Sequence, residues 1–517
     1  MTSTFFGLEI ARRALNAQQA ALNVTSNNIS NANTTGYSRQ IANLTETTPY
    51  TIWATGKDES LGSGVAMDTV TRARDKFVDM QLRNETSKQQ YWTSRETSLT
   101  NIQSDMNEAS STGSGSGLSS DLNSFWTAWS DLSTDPQNSG SRAVVQETGV
   151  TLTDAFHSVY NQLKTEQSNT DSDINDQVSK INSYSKQIAA LTQQIQEAER
   201  TGDNPNSLLD SRDNLIDELS KIVNVNVKES RSTDPNSNAN VTDFELDIGD
   251  GSQVLVSNDR AYQLATSSNT SGIGGNTITS IKWANSYYLP DGTQVTIDSS
   301  DPHAAQAGTN LSLASGTGTL QSDIDIRDKD IPDLVSKYNT LAQGIVTAVN
   351  GIYNPSGTGT NFFNGTDTTA GDIALDSSVD TEYDTNVNNI VAGTSGSGDG
   401  SIASAIANLS SGWSTLSGTA LSNLESEFGS ASSLGGYYDS TVSGFGVKVQ
   451  EATGMKTGED TLVTNLTNQR DSVSGVSLDE EMTNMIQFQK SYTAAARVVT
   501  TLDDMLNTIV TGLGVTR

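Results

Sequence analysis

Asp210, Asp213 and Asp217 stand three and four residues apart in a stretch of helical periodicity, so their carboxylates share a helix face and could hold a hard cation. Arg212 beside them, and an opposite face of Leu208, Leu209, Leu215, Ile216 and Leu219, favour a solvated acidic face instead. The chain has two histidines: His157, with no second histidine within a helical turn, and His303, which follows Asp301-Pro302. Two isolated imidazoles make neither a zinc site nor a nucleophilic triad. Trp126 and Trp129 could form a carbohydrate platform, but beside Leu122 and Phe125 they read as core. The sequence contains no Walker loop, dinucleotide fingerprint, zinc-protease helix or nucleophile elbow. No catalytic residue, metal ligand or cofactor is therefore assigned, and the chain reads as a non-enzyme. A carboxylate pair of the glycosidase kind among the 61 acids, as in a surface carbohydrate-active enzyme, is the distant alternative.

The elements that position these residues come from 517 residues with 34% apolar content, adequate for several modest cores and low for one large one. A net charge of −31 argues against nucleic acid, whose binders need clustered Lys and Arg. Residues 1–44 carry three arginines against one glutamate, for +2, and residues 477–517 carry five acids against three bases, for −2. The whole deficit thus sits in residues 45–476, as expected if the ends are buried in contacts while the middle faces water. Cysteine is absent, which rules out disulfides and thiol chemistry. Glu9, Arg12 and Arg13 fall where a signal peptide needs an apolar run, and no run approaches the length of a membrane span. The expectation is no membrane insertion, and an export route that leaves the N-terminus intact.

Both ends carry seven-residue apolar repeats. Leu478, Met485, Tyr492, Val499 and Leu506 recur every seven, with Phe488, Ala495, Leu502 and Ile509 three after their neighbours. Leu8, Leu15, Leu22 and Ile29 repeat likewise, and Ala11 permits close helix approach. Neither end offers the rest of a core, so these residues are predicted to form subunit interfaces.

Between the ends, residues 4–33 read as one helix broken at Asn31–Gly36, 37–70 as extended segments and 72–109 as helix. A Ser/Gly tract at 110–117 reads as a flexible connection. A helix from Leu118 stops at Asp135-Pro136. A rod-like helix then runs from about 141 to 200, with Ile174, Ile181, Ile188 and Ile195 every seven, and 208–223 returns along it. Residues 236–318 are strand-like and turn-rich, a surface insertion whose removal should leave the helices intact. Helix resumes at Ile331, a Gly/Ser/Thr/Asn-rich stretch covers 354–441, and a helical pattern from about 442 leads into the C-terminal seam. The predicted fold is multi-domain and mainly α. Terminal helices (1–40 and 477–517) pair as a coiled coil forming an inner tube, a helical-bundle body with some β comprises 41–235 and 319–476, and an all-β domain is inserted at 236–318 on the outer surface.

The stretch from Ala20 to Gln40 closely resembles the opening signature of bacterial flagellar rod, hook and hook-associated proteins. Asn27, Asn28, Asn31, Asn33, Gly36, Tyr37, Ser38, Arg39 and Gln40 form its signature turn. The ending Gly36-Tyr37-Ser38-Arg39-Gln40 is most similar to the hook-associated members; Ser30 and Thr35 depart from the usual Ala and Pro. The run from Gly475 to Val498, with Phe488-Gln489, is similar to the family's closing segment, and Leu122–Trp129 and Leu208–Leu215 agree internally. The resemblance implies a structural protein of the flagellar axis, extracellular, exported through the flagellar type III channel. It implies a homo-oligomeric ring at the junction of hook and filament that supports filament assembly. The implied partners are hook protein, a second junction protein and an export chaperone on the C-terminal helix. A flagellin-like or other rod or hook subunit is the alternative reading.

Overall fold

The computed structural model describes every residue except 1–4, 55–56, 107–116, 235–238, 358, 381–386, 415, 430–431 and 514–517. Most of the predicted Ser/Gly connection at 110–117 therefore lies outside the described residues.

Helix α1 (Phe6–Ser30) is Ala-rich and free of proline, and ends where Asn31 leaves helical geometry. Gly36 then takes φ +79, a conformation that glycine adopts without strain. Strands β1 (Gln40–Glu46) and β4 (Val65–Arg72) pair antiparallel and flank α1, while β2 (Tyr50–Ala54) and β3 (Lys57–Leu61) form a separate two-stranded ribbon. Helix α2 (Lys76–Asp105) starts at Asp75, whose carboxylate accepts the Phe77 and Val78 N–H groups. Helix α3 (Leu118–Thr134) ends before Pro136 as predicted. Helix α4 (Ser139–Arg200), 62 residues and about 93 Å long, is the spine of the body.

The two halves of α4 serve different cores. Val145, Leu152, Phe156 and Leu163 join α3 (Phe125, Trp129) and helix α7 (Ile331–Tyr353) in one apolar cluster, which confirms the tryptophans as core. Ile174, Val178, Ile181 and Ile188, all buried, join α5 (Asn206–Ile222) beneath a six-stranded antiparallel meander. Its strands are β5 (Val225–Thr233), β6 (Asn240–Ile248), β7 (Gln253–Ser257), β8 (Arg260–Asn269), β9 (Ile278–Tyr288) and β10 (Gln294–Thr296). The sheet therefore takes in residues that the boundary at 236 left in the helical body. The inserted sheet shares its core with the helices, because Phe244, Leu246, Ile248, Leu255 and Trp283 cluster with α4 and α5.

After α6 (Gly318–Asp325) a π-helical turn, Ile326–Asp330, leads into α7 (Ile331–Tyr353), whose Leu334, Tyr338, Leu341, Ile345 and Val349 are buried as their spacing predicts. The turn changes which residues share a face. Asp325 accepts the Tyr91 hydroxyl and Asp330 pairs with Arg95 at 2.7 Å, so two acids five apart both meet α2. Short helices α8 (Ser401–Ala407) and α9 (Gly418–Phe428) complete this core, α10 (Leu434–Ser474) lies along α2, and α11 (Leu478–Leu513) returns along α1.

Candidate functional site: the joint between terminal helices and body

Helices α1 and α11 run antiparallel: Gly7 lies against the Leu502 side chain, and Asn28 donates to Glu481 at 3.1 Å. On α1 the contact face carries short residues, with Ala11, Ala21, Thr25 and Asn28 buried. Leu8, Leu15, Leu22 and Ile29 sit one position around the helix and stay half-buried. On α11 Met485, Phe488, Ala495, Val499, Leu502 and Leu506 are half-buried, whereas Leu478, Tyr492 and Ile509 are exposed. Small residues on α1 let the backbones approach, and that close approach turns its leucines to the flank.

The signature turn fastens this pair to the body. Buried Asn28 accepts the Gln40 N–H (2.9 Å) and the Tyr37 hydroxyl (2.8 Å) on its carbonyl, and its amide donates to the Gln40 carbonyl (2.8 Å). Asn27 donates to the Tyr37 hydroxyl and Asn31 donates back to Asn27, so α1 is closed by its own side chains; Asn33 is exposed. Burial, with Asp210 and Glu481 nearby, pushes the Tyr37 phenol up to about 12, which keeps it a donor. Arg39 donates through its backbone N–H to the Ser474 carbonyl and through Nη1 to Glu480, both at 2.9 Å. Buried Ser38 donates its N–H to Asp210 at 3.3 Å.

Asp210 leads to residues that the sequence reading missed. Arg72 Nη1 lies 2.8 Å from both Asp210 and Asp213. Arg74 reaches Asp79 at 2.5 Å and Asp213 at 3.2 Å, and Arg83 reaches Asp217 at 2.6 Å and Asp213 at 3.4 Å. Arg470 of α10 approaches Asp217 at 3.7 Å, so four arginines meet four aspartates. Burial works to raise the Asp213 carboxyl, but Arg74, Arg83 and Arg72 outweigh it and hold it at about 2. The aspartate triad is thus neither a solvated face nor a cation site. It is a charge-paired hub joining β4, α2, α5 and α10 beneath the signature turn.

Arg212, next to the triad, is buried over the Phe244 ring and paired with Glu229 of β5. Leu208, Leu209 and Leu215, assigned to the buried face, are only half-buried. Acids at core spacing with unmatched arginines elsewhere were the available signal, but their partners lie more than a hundred residues away. The histidines sit on separate elements, His157 in α4 and His303 edge-on to Tyr262. Among the described residues no group of three or more His, Asp or Glu is placed to hold a metal, and no helix is long and apolar enough to cross a membrane.

Terminal helices close on each other and dock through a turn onto a central body, and both terminal segments match families of flagellar axial proteins. Residues 8–37 match the flagella basal body rod protein family and residues 468–511 the flagellar basal body rod FlgEFG protein C-terminal family. Residues 101–367 match the flagellar hook-associated protein FlgK helical domain. Flagellar hook-associated protein 1 of Bacillus subtilis is 32% identical, across 100% of this chain and 99% of its own length. That of Escherichia coli is 26% identical across 97% and 98%. The flagellar hook junction protein FlgK from Burkholderia pseudomallei shares the fold at a TM-score of 0.57, with 14% identity over 76% of this chain and 100% of that one. The chain belongs to the flagellar hook-associated protein FlgK family. It is a structural axial protein of the bacterial flagellum.

Proposed function

We propose that this chain forms, as a ring of identical subunits, the junction that joins hook to filament and supports filament growth. One observation carries the reading, the uncovered apolar surface of the terminal pair. Leu478, Met482, Ile486, Val498, Met505 and Ile509 are each 47–56% exposed along α11. Leu8, Leu15, Leu22 and Ile29 line the flank of α1. Burying the exposed half of each α11 residue against neighbours is worth about 1 kcal/mol, several kcal/mol per subunit. The Bacillus subtilis relative is a flagellar hook-associated protein and the Burkholderia pseudomallei one a flagellar hook junction protein, which supports the same reading.

On this reading residues 1–40 and 477–517 form the inner tube and the acidic body faces outward. Hook protein and a second junction protein cap the ring. The apolar face of α11 is held by a chaperone before export through the flagellar type III channel to the cell exterior. The protein acts mechanically and without catalysis: hub and turn pass torque from the terminal helices into the body. Val499 is half-buried three residues before Leu502, whose side chain lies against Gly7 of α1, so Val499→Asp puts a charge beside the contact of the terminal pair. Cells carrying it should build hooks, lack filaments and release flagellin, while Thr500→Asp, exposed in the single chain, is tolerated if neighbouring subunits leave that side of α11 uncovered. Normal filaments with the variant exported at ordinary levels would refute the assignment.

A further inference from the structure

The chain carries a net charge of −31, and one groove in the body runs against it. A groove of about 610 Å³ lies between the end of β4, the first turns of α2, the start of α5 and one face of β5. Val225, Val227, Glu229 and Arg231, every second residue of β5, line it, and exposure rises from buried Val225 to exposed Arg231 at the mouth. Its cations are Arg72, Arg74, Lys76, Arg83 and Arg231 and its acids Asp79, Asp213 and Glu229; Asp210 and Asp217 of the hub pair with the same arginines, so the floor is balanced and the positive charge lies at the rim.

The charges divide by depth. Arg72, Arg74 and Arg83 form the floor and are committed to the aspartates of the hub. Lys76 touches Glu229, but its side chain is 82% exposed, so that pair holds it weakly. With Arg231 it leaves positive charge at the rim. Phe77, 61% exposed, and Met80, 44% exposed, form an apolar wall beside them. A cationic rim over an apolar wall suits an acidic segment that carries one large apolar side chain.

We propose that this groove receives such a segment from a neighbouring copy of this chain. Charge selects the occupant: each copy presents the same large negative charge, repulsion between copies opposes assembly, and this groove is complementary to an acidic neighbour. The proposal rests on the ring described under Proposed function and adds a lateral contact between bodies, far in sequence from the exposed apolar residues of α11.

The test places a photoreactive p-benzoylphenylalanine at Phe77, or separately at Ile486 on α11, in the full chain within intact flagella. Irradiation from either position should link two copies. Lys76→Glu combined with Arg231→Glu should lower the Phe77 link about tenfold and leave the Ile486 link within about twofold. Both residues are exposed, and an unchanged melting temperature of the monomer checks the fold. A link from Phe77 to a different protein, or none there while Ile486 links copies, overturns the groove and leaves the ring standing. An unchanged Phe77 yield after the charge reversal also overturns it, because charge then does not select the occupant. Self-linking at neither position overturns both readings.

Discussion

Asp213→Asn removes one charge from the hub and nearly preserves its shape. In the folded chain Arg72 and Arg74 lie 2.8 and 3.2 Å from one carboxylate oxygen and Arg83 lies 3.4 Å from the other. The side chain is 15% exposed, so water screens these pairs little. The carboxyl is held at about 2 against an ordinary 3.8. That difference corresponds to about 2.4 kcal/mol of stability at pH 7. Leaving three guanidiniums short of an anion brings the expected loss to about 3 kcal/mol. Because the folded carboxyl sits below its unfolded value, the contribution is fully present above pH 4 and fades as pH falls toward 2. The titrating part should be roughly halved at pH 3. Urea unfolding of wild type and Asp213→Asn, followed by circular dichroism at both pH values, measures this difference. Equal destabilisation at pH 7 and pH 3 would show that packing, and not charge, sets the loss, and the hub argument would fail.

The Asp323 carboxyl is raised by burial to about 6, even though Ser94 and Gln177 donate to it. Its folded value lies above the unfolded one, so the carboxylate costs stability as pH rises from 4 through 6. Asp323→Asn should gain about 1–2 kcal/mol at pH 7.5 and nothing at pH 4, and a gain that ignores pH would contradict the cause given. Amide exchange on dilute monomer should be fast along residues 484–513, where no described residue is buried, and slow in α4 and α7. Strong protection at both ends of the monomer would count against assembly as what orders them. Replacing residues 236–318 with a Gly/Ser linker should unfold the α4–α5 hairpin, because it uncovers Ile174, Ile181, Ile188 and Ile216; retained helicity and solubility would separate sheet from helices after all.

Local periodicity carried much of this structure into the sequence. The isoleucines of α4 and the buried face of α7 were legible because a helix places residues seven apart on one side whatever surrounds it. The stop at Pro136 and the break after Asn31 were legible for the same reason, since proline and Asn/Gly turns act on their own backbone. The terminal repeats announced helices that need partners, and the signature turn named the family.

Nonlocal pairing decided the rest. Asp210, Asp213 and Asp217 read as a solvated face more readily than as a cation site until Arg72, Arg74 and Arg83 arrive from more than 120 residues away and make them an ion-paired hub. The face that α1 gives to α11 depends on how near two backbones can come. Small residues at Gly7, Ala11 and Ala21 settled that against the leucine repeat. The sheet, whose strands were legible singly, joined the helical body because the inner faces of sheet and hairpin are both apolar. A sequence states which faces are apolar or charged; which of them meet is a property of the whole chain's packing, where burial decides whether an acid is solvated or paired.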